Sequence, residues 1–97
     1  MRIRYLTPAR AEFLAALEFY EKEAPGLGAE FDAEIADVEN RLLQHPGSGA
    51  PFGEGTRRAI LRSFPYSVIY HVAAEEVLIV AVAHQRRRPD FWKGRLG

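Results

Sequence analysis

The side chains in this sequence best suited to chemistry are arginines and one histidine. Arg58 and Arg62 lie in the run Arg57-Arg58-Ala59-Ile60-Leu61-Arg62, and Arg86-Arg87-Arg88 follow directly on His84-Gln85. In a strand, alternate residues share a face, so Arg58, Ile60 and Arg62 should project together, opposite Arg57, Ala59 and Leu61. Arg86 joins them if the strand ending at His84 lies close by. A guanidinium grips phosphate or carboxylate through two parallel hydrogen bonds, which suits nucleic acid or an acidic partner segment. A solvated strand edge defended by charge explains the same residues equally well. His84 beside these cations has the chemistry of an acid or base for phosphodiester cleavage, although anchoring a loop is the commoner role of a histidine at a strand end.

Other chemistries find little support. The chain has no cysteine, which excludes disulfides, a zinc ribbon, an iron–sulfur site and a thiol nucleophile. His45, His71 and His84 are scattered without Glu-x-x-His spacing, so no metal site is expected. His45 falls at a helix end, where a cation favours the dipole, and His71 reads as structural. Gly26-Leu27-Gly28 and Gly47-Ser48-Gly49 lack the strand before, the helix after and the lysine of a phosphate loop. The carboxylates fall on outward helix faces. No cofactor is expected.

The elements that must position the arginines can be read from periodicity. Ile3 and Tyr5 alternate with Arg4 as a short strand, and Thr7-Pro8 should cap and start a helix. Phe13, Leu17, Tyr20 and Ala24 form one apolar stripe, and Phe31, Ile35, Val38 and Leu42 another, separated by Pro25-Gly26-Leu27-Gly28. These predict an antiparallel helical hairpin. His45 to Gly53, rich in glycine and proline, reads as the one long loop. Strands are then expected over Arg57–Arg62, Tyr66–Val72 and Val77–His84, with Ala73 to Glu76 as a hairpin turn. On this reading Tyr66 and Tyr70 share a packing face with Val68, and His84 shares the parity of Leu78, Val80 and Val82. After Pro89, Phe91 or Trp92 should fold back over the sheet. The expected fold is α+β, in the order β-α-α-β-β-β, with the hairpin on one face of a mainly antiparallel sheet.

Composition bounds the rest. Ninety-seven residues, 47% apolar and 27% charged, fit one globular domain spanning residues 1–97. The longest apolar run, Val77 to Ala83, falls far short of the roughly 20 residues that cross a bilayer, and no signal-peptide core follows Met1. A soluble, cytoplasmic protein with no membrane partner is expected. The net charge of +0 conceals an asymmetry: residues 9–45 are acidic, and residues 46–97 are basic. The basic half should meet an anionic partner.

Three stretches carry a resemblance that spans nearly the whole chain. They are Ala16-Leu17-Glu18-Phe19-Tyr20-Glu21 with Pro25-Gly26-Leu27-Gly28-Ala29-Glu30-Phe31; Arg62-Ser63-Phe64-Pro65-Tyr66-Ser67-Val68-Ile69-Tyr70; and Ala81 to Trp92 with its His-x-x-Arg-x-Pro-x-x-Trp pattern. Together they resemble the RelE/ParE toxin superfamily, its ParE branch of plasmid-stabilisation toxins most closely. The resemblance implies the toxin of a type II toxin–antitoxin pair, in a hetero-oligomer with a cognate antitoxin that wraps its basic and apolar surface. Arg58, Arg62, Arg86, Arg87, Arg88, Phe91 and Trp92 are the residues expected to meet antitoxin or target.

The superfamily holds two activities. The ParE branch poisons DNA gyrase; the RelE branch cuts messenger RNA on the ribosome. Only Lys22 and Lys93 are present and no tyrosine follows His84, so the lysine-rich cradle of RelE enzymes is missing and the gyrase reading is preferred. The alternative keeps an endoribonuclease whose catalytic set is His84, Arg62, Arg58 and Arg86. A toxin-fold protein that only binds its partner is the third reading.

Overall fold

The computed structural model describes residues 1–97 and runs β1 (Arg2–Tyr5), α1 (Thr7–Glu23), α2 (Leu27–Gln44), a 3-10 turn (Pro46–Ser48), β2 (Ala50–Gly53), β3 (Thr56–Ile60), β4 (Tyr66–Val72) and β5 (Glu76–His84). One five-stranded sheet has the order β1-β5-β4-β3-β2. β1 pairs with β5 in parallel, and every other pairing is antiparallel. The α+β plan and the helical hairpin stand as expected, with one strand added. No helix is long and apolar enough to cross a membrane.

The chain passes from sheet to helix without a spacer. The Leu6 N–H donates to the Ile79 carbonyl (3.0 Å), while the Leu6 carbonyl already accepts the first helical bond from Arg10 (3.0 Å). Leu6, not Thr7, is therefore the N-cap, and Pro8 sits in the first turn where an N–H is dispensable. The break between helices is closed by Glu21, whose carboxylate accepts the N–H groups of Gly26 and Gly28. Gly26 turns at a φ of 88°, the left-handed region that glycine enters without penalty.

α2 buries Phe31, Ile35, Val38 and Leu42, the whole expected stripe. α1 differs. Its fully buried residues are Ala9 and Ala16, Phe13, Leu17 and Tyr20 are only half-buried, and Ala24 is exposed as the C-cap. Small residues let α1 lie close on β5, and the large ones reach sideways into an aromatic cluster. There Tyr20 meets Phe64 at 4.7 Å, and Phe31 meets Phe64 and Tyr66 at 5.2 and 5.4 Å.

Two corrections to the strands matter for the site. The stretch read as loop contains β2, which pairs with β3 through Ala50↔Arg58 and Pro51↔Arg57. An edge strand tolerates Pro51 because one side of its backbone needs no partner. The second correction is a bulge: Ile69 pairs with Ala81 while Tyr70 pairs with Ile79, so Val80 is an extra residue in β5. Val77, Ile79 and Val82 consequently face the helices, whereas Val80, Ala81 and Ala83 face the other side with Ile69 and Trp92.

Candidate functional site

Arg58 is placed by its register. β3 pairs Ala59 with Val68 and Arg58 with Ile69. Ala59 and Val68 belong to the core under the helices, so Arg58 and Ile69 face away from them. There the Arg58 guanidinium lies over the Phe52 ring of β2, 4.5 Å from its centroid. Its Nε is buried without a hydrogen-bond partner. Phe52, Ser67, Ile69, Ala83, Pro89 and Phe91 surround it in a cleft of about 50 Å³, whose remaining rim is His84, Gln85, Arg87 and Arg88. Arg57, with the opposite parity, donates to the Gly49 carbonyl at 2.8 Å.

Of the expected cluster of Arg58, Arg62, Arg86 and His84, only Arg58 and His84 border the same cleft, together with Arg87 and Arg88. β3 ends at Ile60, so strand alternation no longer governs Arg62. The Arg62 and Ser63 N–H groups donate to the Glu34 carboxylate of α2, and the Arg62 side chain lines a groove beside Asp37 and Arg41. His84 is turned by the bulge. It pairs with Tyr66 and sets its ring edge-on to that tyrosine at 5.2 Å, at the strand end where it borders both the Arg58 cleft and the groove beside α1. Its Nδ1 accepts the Arg86 N–H at 3.0 Å, which assigns the proton of the neutral ring to Nε2. Arg86 itself is exposed.

The cations that border the cleft are already engaged. Arg87 donates to Glu12 (3.1 Å) and lies 3.8 Å over the Phe91 ring, and Arg88 pairs with Asp90 at 3.0 Å. Trp92 needs a further correction. It is 1% exposed, donates from Nε1 to the Pro89 carbonyl (2.8 Å) and stacks on Phe52 at 5.8 Å. It belongs to the core of the second sheet face and presents almost no surface of its own. Phe91 remains half-buried and reachable.

Sequence reasoning missed Glu12 and Arg95. β1 ends at Tyr5, which leaves the β5 edge beyond Ile79 without a neighbouring strand. Glu12 accepts the Val82 N–H at 3.1 Å, and Arg95 donates to the Val80 carbonyl at 2.9 Å. The two side chains join each other through bonds of 3.0 and 2.9 Å, and this knot ties the C-terminal tail to the sheet. The only sequence signal was one carboxylate, Glu12, adjoining an apolar stripe. Elsewhere, burial and a hydrogen bond to Glu39 push the Tyr5 phenol well above its usual range. Bonding to Arg4 holds the Glu76 carboxyl below its usual range. No group of three or more acidic or histidine side chains is placed to hold a metal ion.

The family profile of the ParE toxin of type II toxin–antitoxin systems, parDE, matches residues 3–89. This chain belongs to the ParE toxin family. It is accordingly a ParE-like type II toxin. A solved chain described as the chromosomal ParDE toxin–antitoxin system from P. aeruginosa shares the fold, with a TM-score of 0.74 and 22% identity. The match covers 87% of this chain and 95% of that one. No curated protein matches. In this ParE toxin the profile stops before Trp92 and Arg95, the two residues that dock the tail.

Proposed function

We propose that this ParE toxin acts by binding, poisoning DNA gyrase in the cytoplasm, and that a cognate antitoxin neutralises it by covering the cationic end of the sheet. Gyrase is the target that the ParE resemblance implies. The observation that carries a binding role over RNA cleavage is the state of His84. Cleavage needs a base and cations converging on one phosphate. Here Nδ1 is occupied by the Arg86 N–H; His84, Arg58, Arg87 and Arg88 border one cleft, but Arg87 and Arg88 are paired with Glu12 and Asp90 and Arg62 opens onto a separate groove. The candidate binding residues are Arg58, Arg86, Arg87, Arg88 and Phe91, with Trp92 supporting them from beneath and Arg62 set apart near α2.

The test is to induce the toxin alone in bacteria and follow thymidine and methionine incorporation over the first minutes. DNA synthesis should fall first while translation continues. An immediate fall in translation would move the target to the ribosome, and unimpaired growth would leave only a binding protein.

A further inference from the structure

Arg58 differs from the cations around it in having no acceptor. Arg87 is paired with Glu12 and Arg88 with Asp90, but the buried Arg58 Nε has no partner. A buried donor left unmatched is destabilising, so such an atom in a native fold requires an explanation. The guanidinium is held over the Phe52 ring at the wall of the cleft. Ser67 supplies a hydroxyl there, Ile69 and Phe91 supply apolar walls, and the paired Arg87 and Arg88 stand at the rim.

We propose that this cleft receives a single carboxylate side chain, from an acidic residue flanked by apolar ones in the protein segment that covers the toxin. The inference rests on the antitoxin-facing reading of this surface and narrows it to one anchoring contact. Charge and surroundings select the ligand. A cleft of about 50 Å³ is several times the roughly 10–15 Å³ that one water needs, enough to take in a carboxyl group. Arg87 and Arg88 at its rim are already paired with Glu12 and Asp90, which leaves Arg58 as the one cation of the cleft without an acceptor and matches a single carboxylate; a polynucleotide would want several free cations. The apolar walls instead suit the side chains on either side of a glutamate or aspartate.

The experiment follows the arginine Nε–H resonances of the full chain by nuclear magnetic resonance. The probe is a capped five-residue peptide with glutamate between two leucines and two valines. Its glutamine twin and a uridine hexanucleotide are the controls. The Arg58 signal, assigned by its loss in Arg58→Lys, should move saturably with the glutamate peptide and bind the glutamine twin at least tenfold more weakly. Ser67→Ala should weaken the glutamate peptide severalfold. If Arg58→Lys fails to fold, Phe52→Leu assigns the signal by removing the ring current. Equal binding of the glutamine twin, or tighter binding of the hexanucleotide, overturns the proposal. Growth arrest is scored separately. A chain that arrests growth but ignores the glutamate peptide overturns the cleft and spares the toxin reading. Saturable peptide binding without arrest supports the cleft and sinks the gyrase reading.

Discussion

Glu12 of α1 and Arg95 of the C-terminal tail form a two-bond ion pair, at 3.0 and 2.9 Å, over the part of β5 that β1 does not reach. Each also takes a backbone group of that edge, Val82 N–H for Glu12 and the Val80 carbonyl for Arg95. The pair thus replaces a missing strand neighbour and fixes the tail that walls the Arg58 cleft.

Removing Glu12 should therefore cost more than a surface carboxylate does. The two side chains are 14% and 17% exposed, so the loss approaches that of a buried pair, reduced for residual screening. Glu12→Ala leaves Arg95, Arg87 and the Val82 N–H without their acceptor and should destabilise by roughly 2–3 kcal/mol. Glu12→Gln keeps one acceptor oxygen and should cost about half as much. Urea midpoints at fixed slope check both values. A cost within about 0.5 kcal/mol of zero for Glu12→Ala would place the knot among ordinary surface contacts.

The second face of the sheet rests on Trp92. Trp92→Ala removes a 1% exposed indole from against Ile69, Val80, Ala81 and Ala83. The expected cost is about 3–5 kcal/mol. Trp92 is the single tryptophan of the chain, so its emission reports tail docking without labels. The wild-type protein should emit in the blue and shift red on unfolding. A water-exposed spectrum from the native protein would show the tail undocked.

Much of this was legible in the residues, and the exceptions share a cause. The stripe of α2 was visible because four side chains at helical spacing all go inward, and β4 was visible through its β-branched and aromatic run. β2 was hidden because its Pro51 and two glycine neighbours argue for a turn, while its pairing comes from Arg57 and Arg58 on another strand. His84 does stand beside Arg58, Arg87 and Arg88, but its shared parity with Leu78 and Val80 fails because the Val80 bulge resets the alternation, and nothing local to β5 announces it. Gly28 read as part of a turn, yet it is needed for close approach: a Cβ there would stand 2.9 Å from the Glu21 carboxylate and 3.1 Å from the Leu17 carbonyl. Strand length, bulges and helix contacts are set between segments, so the grouping of the arginines could not be read from one segment alone.

Alkaline pH should weaken the fold through Tyr5. Burial and the bond to Glu39 raise its phenol above the ordinary value, which is about 10 in an unfolded chain. Below that pH both states hold the proton and the stabilisation is whole. Above it the unfolded chain releases its proton first, so stability falls as pH rises. Between about pH 8 and pH 10.5 the Tyr5 share of that loss should be roughly 0.5 kcal/mol, after discounting for partial exposure. Tyr5→Phe lacks this group and should lose correspondingly less over the same interval, although it starts lower for want of the Glu39 bond. Parallel pH slopes in the two proteins would remove Tyr5 from the account.

The role of His84 separates binding from cleavage most directly. An asparagine at this position offers a side-chain oxygen that can accept the Arg86 N–H in place of Nδ1, but it has no titrating nitrogen near neutral pH. His84→Asn should therefore fold within about 1 kcal/mol of the wild type and still arrest growth. In an endoribonuclease that used His84 as acid or base, the same change would lower activity by roughly 10²–10⁴-fold. Growth arrest at matched expression, read beside the urea midpoint, distinguishes the two. A folded His84→Asn chain that no longer arrests growth would return His84 to the reacting atoms, because only proton transfer, and not the tether to Arg86, would have been lost.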